Sequence, residues 1–381
     1  MSRNRSGRYL TPTQTAGWIL VGGALLLAIV RLQAQAPQKE TPTGLAGAGP
    51  VVQGTPDDPL RDTREVHLRN VKQLTCGGTN AEAYFSPDGK RLVFQSTREP
   101  YPCDQIFEMN ADGSAVRMVS TGKGKTTCAY FFPSGSHLLY SSTHLTSPDC
   151  PPRPDYSKGY VWGVYSAFQI FEATDAGKIV KQLSTDPGYN AEATLSADGK
   201  RIVFTSSRDG DLDIYTMKAD GKGVKRLTHE LGYDGGPFFS PEGRWIVYRA
   251  HHPTAPNEVA HYKELLAQEL VEPMQMDLYV MRDDGSENRQ ITLLGGASFA
   301  PFFFPDGKRV IFASNYEHPG SSQFELYAIN RDGSRLERIT FTGGFNSFPM
   351  FSPEARKLVF ASSRNAKQRR EINIFIADWV P

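Results

Sequence analysis

From about residue 67 onward, short runs of alternating apolar and polar residues recur, separated by tight turns of the Asp-Gly type. The third set shows the spacing: residues 191–195, 201–206, 213–217 and 224–227 are four strand-length runs. Ala197-Asp198-Gly199 turns between the first two and Ala219-Asp220-Gly221 between the last two. Hairpin turns need residues that tolerate positive φ, and Asp and Gly supply them. The same phrase returns six times. Its fullest copies are Tyr84-Phe85-Ser86-Pro87-Asp88-Gly89-Lys90-Arg91-Leu92-Val93-Phe94 and Leu195-Ser196-Ala197-Asp198-Gly199-Lys200-Arg201-Ile202-Val203-Phe204, and the others begin at Phe131, Phe239, Phe303 and Phe351. A unit of four antiparallel strands and roughly 45 residues, repeated in register, predicts an all-β, six-bladed β-propeller. The last copy stops at its third strand, near residues 372–379. Residues 67–75 supply the missing outer strand, because Gln73-Leu74-Thr75 matches Arg226-Leu227-Thr228 and Arg338-Ile339-Thr340. A ring joined in this way has no free sheet edge between its first and last blades.

The phrase Phe85-Ser86-Pro87-Asp88-Gly89-Lys90-Arg91-Leu92-Val93-Phe94, with Asp213-Ile214-Tyr215-Thr216-Met217 and Asp220-Gly221, resembles the TolB-type propeller repeat. The resemblance covers about residues 67–381. It implies the propeller, a home outside the cytoplasm and an envelope protein or peptide as partner, with a Pal-like lipoprotein as the family's own example. TolB carries an α/β domain before its ring, whereas this sequence shows only a tether there.

The first residues read as an export signal. Arg3, Arg5 and Arg8 precede a 15-residue apolar run at 16–30, shorter than the ~20 residues that span a bilayer. Ala34-Gln35-Ala36 then offers a small-x-small cleavage site. The expected organisation is a signal peptide at 1–36, a Pro/Gly/Thr-rich linker at 37–64 and the propeller at 65–381. An uncleaved anchor is the alternative to cleavage and the one expected contact with a membrane. Either form is periplasmic or secreted, and a monomer is expected. With 42 basic and 41 acidic residues the net charge is +1, which gives no electrostatic case for nucleic acid. Cys76, Cys103, Cys128 and Cys150 allow three disulfide pairings, and none has the C-x-x-C spacing of a structural zinc site.

The Asp-Gly turns close one face of the ring, so the long insertions, residues 144–166 and 251–275, fall on the other. Aligning the innermost strands places Asn80, Thr126, Asn190, Asp234, Ser298 and Asn346 at one level of the channel mouth. Two residues on, and facing the same way by strand alternation, come Glu82, Cys128, Glu192, Gly236, Ala300 and Phe348. Asn80, Glu82, Asn190, Glu192, Asp234 and Asn346 are therefore candidates to bind a cation, a basic side chain or an amine. The alternative is a polar, water-filled channel. In the blade-two insertion, Tyr160, Trp162 and Tyr165 offer either a stacking surface for a sugar or peptide or a core for the loop itself. In the blade-four insertion, His251, His252 and His261 are candidate binding groups. With Glu258 and Glu264 they make a divalent cation the one cofactor to consider, although their spacing matches no metal motif. A helix is expected there, capped by Thr254, with Val259, Tyr262, Leu266 and Leu270 packed on the ring. No nucleophile motif supports a catalytic residue: Gly296-Ala297-Ser298-Phe299-Ala300 lacks the second glycine of G-x-S-x-G. The leading expectation is a non-catalytic binding protein. The alternative is a metal-assisted lyase or hydrolase acting on an envelope polysaccharide or peptide at the channel mouth.

Overall fold

The structure, a computed structural model, describes residues 54–381. The expected signal segment and the linker up to residue 53 lie outside the described residues. Six four-stranded antiparallel sheets follow one another along the chain. The first runs Thr79–Phe85, Arg91–Thr97, Gln105–Asn110 and Arg117–Met118 from axis to rim. In the sixth, Asn346–Phe351, Lys357–Ser362 and Asn373–Trp379 are completed by Leu68–Gln73 from the beginning of the domain.

The second strands carry unbroken apolar triplets, Leu92-Val93-Phe94 and Ile202-Val203-Phe204 among them, because neighbouring blades cover both faces of each sheet. In the Ser-Pro-Asp-Gly turn, the Ser86 hydroxyl donates to Asp88 at 2.6 Å and the Lys90 amide donates to the same carboxylate at 3.1 Å. Gly89 takes the left-handed conformation, φ 70°, that closes the hairpin.

Two expectations are revised. Of the linker read at 37–64, residues from Asp58 onward are packed against blade six rather than free. The Arg364 guanidinium, fully buried, holds the Glu65 carboxylate at 2.9 and 3.1 Å and donates to the Leu60 carbonyl. A buried guanidinium without a counter-charge is strongly unfavourable, so this segment is needed where it lies. The expected helix is present at Pro256–Leu266, but it starts from Ala255 without a side-chain cap, and Leu270 lies beyond it in a short strand.

Candidate functional site

Each innermost strand breaks its register once, between Ala81 and Tyr84, Thr127 and Tyr130, Ala191 and Thr194, Gly235 and Phe238, Phe299 and Phe302, and Ser347 and Met350. The bulge residue is left-handed in all six blades: Glu82, Cys128, Glu192, Gly236, Ala300 and Phe348 have φ between 51° and 59°. Such a conformation costs a non-glycine residue roughly 1–2 kcal/mol, so the ring holds five such residues in an unfavourable backbone state. Bulges of this kind re-aim side chains, and here they alter the alternation on which the channel reading rests.

Two residues beyond the bulge, Tyr84, Tyr130, Phe238 and Phe302 of blades one, two, four and five pack ring against ring across the axis. Tyr84 of blade one lies 5.7 Å from Phe238 of blade four, ring to ring, and Phe238 lies 5.4 Å from Phe302. The axis is therefore blocked at this level by packed aromatic rings. The mouth above it is a closed-ended cup.

The bulge residues form the wall of that cup. On its charged side, Glu192 accepts from Arg249 Nη2 at 2.6 Å, the Gly236 amide at 2.6 Å, the Thr205 hydroxyl at 3.0 Å and the Tyr233 hydroxyl at 3.2 Å. A Cβ at Gly236 would strike the Arg249 guanidinium, so glycine is required there. Burial pushes the nearby Glu82 carboxyl up to about 7; the Cys128 thiol and Arg249 oppose the rise, and Glu192 adds to it. Burial also pushes the Cys128 thiol well up. Opposite stand Phe299, Phe324, Phe345 and Phe348, with ring separations of 5.0 to 6.4 Å. One side is charged and hydrogen-bonding, the other aromatic.

The two long insertions meet over this cup. Trp162–Gly163 of blade two pairs antiparallel with Leu270–Val271 of blade four. Trp162 lies over the Arg249 guanidinium at 5.1 Å and packs edge-on against Tyr233 and Phe299. Val161 and Val164 are buried beneath the ribbon, and the Tyr165 hydroxyl donates to the Pro152 carbonyl. Tyr160 points outward, 57% exposed, and stacks on Tyr156. The aromatics thus divide between a loop core and an exposed pair. Tyr262 anchors the helix by donating to Asp211 at 2.5 Å, and a disulfide joins Cys103 of blade one to Cys150 of the blade-two insertion.

The other predicted site residues do not join the cup surface. Asn80, Asn190 and Asn346 are fully buried. Their carbonyl oxygens accept from Ser96, Ser206 and Ser362 at 2.7 to 2.9 Å, which ties the first two strands together. Asp234, also fully buried, pairs with His252 at 2.8 Å, and His252 reaches Glu230 at 3.1 Å. The Asp234 carboxyl is raised by burial, and His252 is raised by its acidic neighbours against burial's lowering. His261 pairs with Glu272 on the exposed side of the helix, and His251, lowered by burial, ends its strand. Among the described residues no three His, Cys, Asp or Glu side chains converge as a metal site would need. Sequence reasoning missed Arg249. Its signal was an arginine inside the run Trp245-Ile246-Val247-Tyr248-Arg249, where the aligned copies have Gln95, Ser141, Thr205, Ala313 and Ala361.

Fold and site together define a six-bladed propeller whose mouth is an amphipathic cup beneath a bridge of insertions. The family model of the TolB beta propeller domain matches residues 169–257 and 262–378, over half of the chain, which belongs to that family. A TolB homolog of Chlorobium luteolum is 25% identical over 237 residues, 60% of this chain and 46% of that one. The chain spans less than half the length of the curated relatives it matches. Among solved structures, a TolB-type protein of Agrobacterium tumefaciens superposes with TM-score 0.53 at 19% identity, over 82% of this chain and 97% of that one. A gluconolactonase of Xanthomonas campestris gives 0.55 at 12% identity, over 88% and 97%. At these identities the likeness is one of fold, which binding proteins and enzymes share.

Proposed function

We propose that the chain is an extracytoplasmic, non-catalytic binding propeller that takes a protein or peptide segment of the cell envelope at the mouth beneath the insertion bridge. The observation that carries this reading is the pairing of the two longest insertions directly above a cup with one charged and one aromatic side. A peptide supplies both halves of the complement: an apolar side chain against Phe324, Phe345 and Phe348, and an amine or other donor toward Glu82. The TolB family membership and the arginine-led apolar run at the N-terminus support a periplasmic or secreted setting, with a Pal-like lipoprotein as the first partner to try. The metal-assisted alternative finds no support in the placement of His251, His252 and His261, which serve three separate surroundings.

The test is photo-crosslinking in the producing cell. A photoreactive phenylalanine at Phe348 is expected to capture one discrete envelope protein, whereas the same residue at Lys90 or Lys200, on the Asp-Gly face, captures none. Replacing residues 256–272 by a short Gly/Ser link, which keeps the strand end and the His252–Asp234 pair, should abolish that product while the ring still folds. Equal crosslinking from both faces, or capture unchanged by the replacement, would overturn the reading.

A further inference from the structure

At the end of the second strand, every blade places one polar or aromatic side chain on an aromatic shelf supplied by the third strand. The six are Arg98, His144, Arg208, His252, Tyr316 and Arg364. Arg98 lies 4.9 Å from the Phe107 ring centre, Arg208 5.1 Å from Tyr215 and Arg364 5.7 Å from Phe375. His144, His252 and Tyr316 sit on Phe171, Tyr279 and Tyr327 at 4.5, 5.2 and 4.9 Å.

The three arginines are held alike. Nε donates to the serine two residues back: Arg98 to Ser96 at 2.8 Å, Arg208 to Ser206 at 3.0 Å and Arg364 to Ser362 at 3.1 Å. Nη2 donates to the buried asparagine of the first strand, Asn80, Asn190 or Asn346, at 2.6, 2.8 and 3.1 Å. That leaves Nη1. In Arg208 it carries Asp186 at 3.0 Å, and in Arg364 it carries Glu65 at 3.1 Å. In Arg98 it has no acidic partner among the described residues.

The cause is legible in the chain. Asp186 stands four residues before Asn190, and four residues before Asn80 the chain has Cys76 instead. Glu371 of blade six touches that connection, but it is engaged by the amides of Gly77, Lys367 and Gln368 and by Asn373. Burial lowers the Arg98 guanidinium from its ordinary value, and no neighbouring acid offsets it.

We propose that Arg98 is a carboxylate-binding site, completed in trans by an acidic side chain or chain terminus of a bound partner. The shelf and the Ser96–Asn80 clamp fix the guanidinium in advance, so little side-chain freedom remains to be lost on binding. The site stands independently of how the central mouth is used. Two copies of the same niche in this molecule already show the occupied state.

The test titrates the full chain with N-acetylglutamate α-methylamide, which carries a single carboxylate, and follows the arginine Nε–Hε signals by NMR, the Arg98 signal being identified by its loss in Arg98→Gln or, if that variant does not fold, in Arg98→Lys. Arg98 should shift saturably while Arg208 and Arg364 stay still, and the neutral analogue N-acetylglutamine methylamide should bind about tenfold more weakly, as expected for loss of one charge-assisted contact. Arg208→Gln, which removes the same scaffold contacts from an occupied niche, should leave the Arg98 titration unchanged. Absence of a saturable Arg98 shift, or equal response to both probes, would overturn the assignment.

Discussion

The Arg249 guanidinium of blade four meets the Glu192 carboxylate of blade three at 2.6 Å, with the two side chains only 10% and 12% exposed. Trp162, carried by blade two, covers the same guanidinium. One ion pair thus ties two adjacent blades at the axis to the insertion bridge above them. Its position matters more than its count. Glu192 sits in a left-handed bulge beside a second acid, Glu82, and Arg249 is the cation that allows both acids there.

Arg249→Leu should therefore destabilise the protein more than an ordinary surface change, by about 3–5 kcal/mol, because it leaves a buried carboxylate uncompensated. Adding Glu192→Gln to that variant should recover part of the loss, since the stranded charge goes with it. Thermal unfolding of wild type, single and double variants measures this. A double variant no more stable than Arg249→Leu would show that the pair is not the coupling that the geometry describes.

Glu82 sets a pH dependence of known sign. Its carboxyl is raised from 4.5 to about 7, burial being the main cause. The folded state therefore binds the proton more tightly than the unfolded chain. Its contribution is complete below about pH 4.5 and is lost as pH rises through 7. Glu82→Gln should gain on wild type across that window, by on the order of 3 kcal/mol, and hold a constant advantage above it. Asp213, also pushed to about 7 by burial, titrates with the same sign in both proteins and cancels in the difference. Stability measured at pH 5, 6, 7 and 8 decides it; parallel curves would refute the shift.

The segment before the ring makes a third case. Glu65 and Arg364 are both fully buried, and Glu65 directly follows the residues that the composition assigns to a linker. Glu65→Ala should lower stability by about 3–5 kcal/mol, whereas Lys200→Ala, whose ion pair with Asp198 is exposed on both sides, should change it by under about 1 kcal/mol. Similar midpoints for the two variants would mean that residues 58–65 are not part of the folded unit.

The six-fold Asp-Gly phrase was enough to count blades, and the Gln73-Leu74-Thr75 match was enough to close the ring, because both depend on local turn chemistry and strand period. The channel was less legible. Strict alternation places Asn80 and Glu82 on one wall, but the bulge between Ala81 and Tyr84 separates them: Asn80 binds Ser96 and Arg98 out of reach of solvent, while Glu82 faces the cup. Nothing in a period-2 pattern marks a left-handed glutamate. The aromatic plug of Tyr84, Phe238 and Phe302 was hidden by the same shift. The pairing of Trp162–Gly163 with Leu270–Val271 joins residues more than a hundred positions apart, and a two-residue strand has no periodicity to read.

That short ribbon yields the last prediction. Trp162 packs against Tyr233 and Phe299 and stacks on Arg249, and next to it the Val164 amide donates to the Glu269 carbonyl at 2.8 Å. Removing the indole deletes the contact that seats the bridge on the ring, while the blade cores below are untouched. Trp162→Ala should cost about 3 kcal/mol as a large-to-small change, and the loss should be local. Hydrogen exchange of whole-chain protein should speed up at Val164 and Val271, which belong to the bridge, and stay unchanged at Val203 and Phe204 in the buried second strand of blade three. Acceleration spread evenly over both regions would mean that the bridge is part of one cooperative unit with the ring. Exchange unchanged at Val271 would mean that Trp162 does not hold it down.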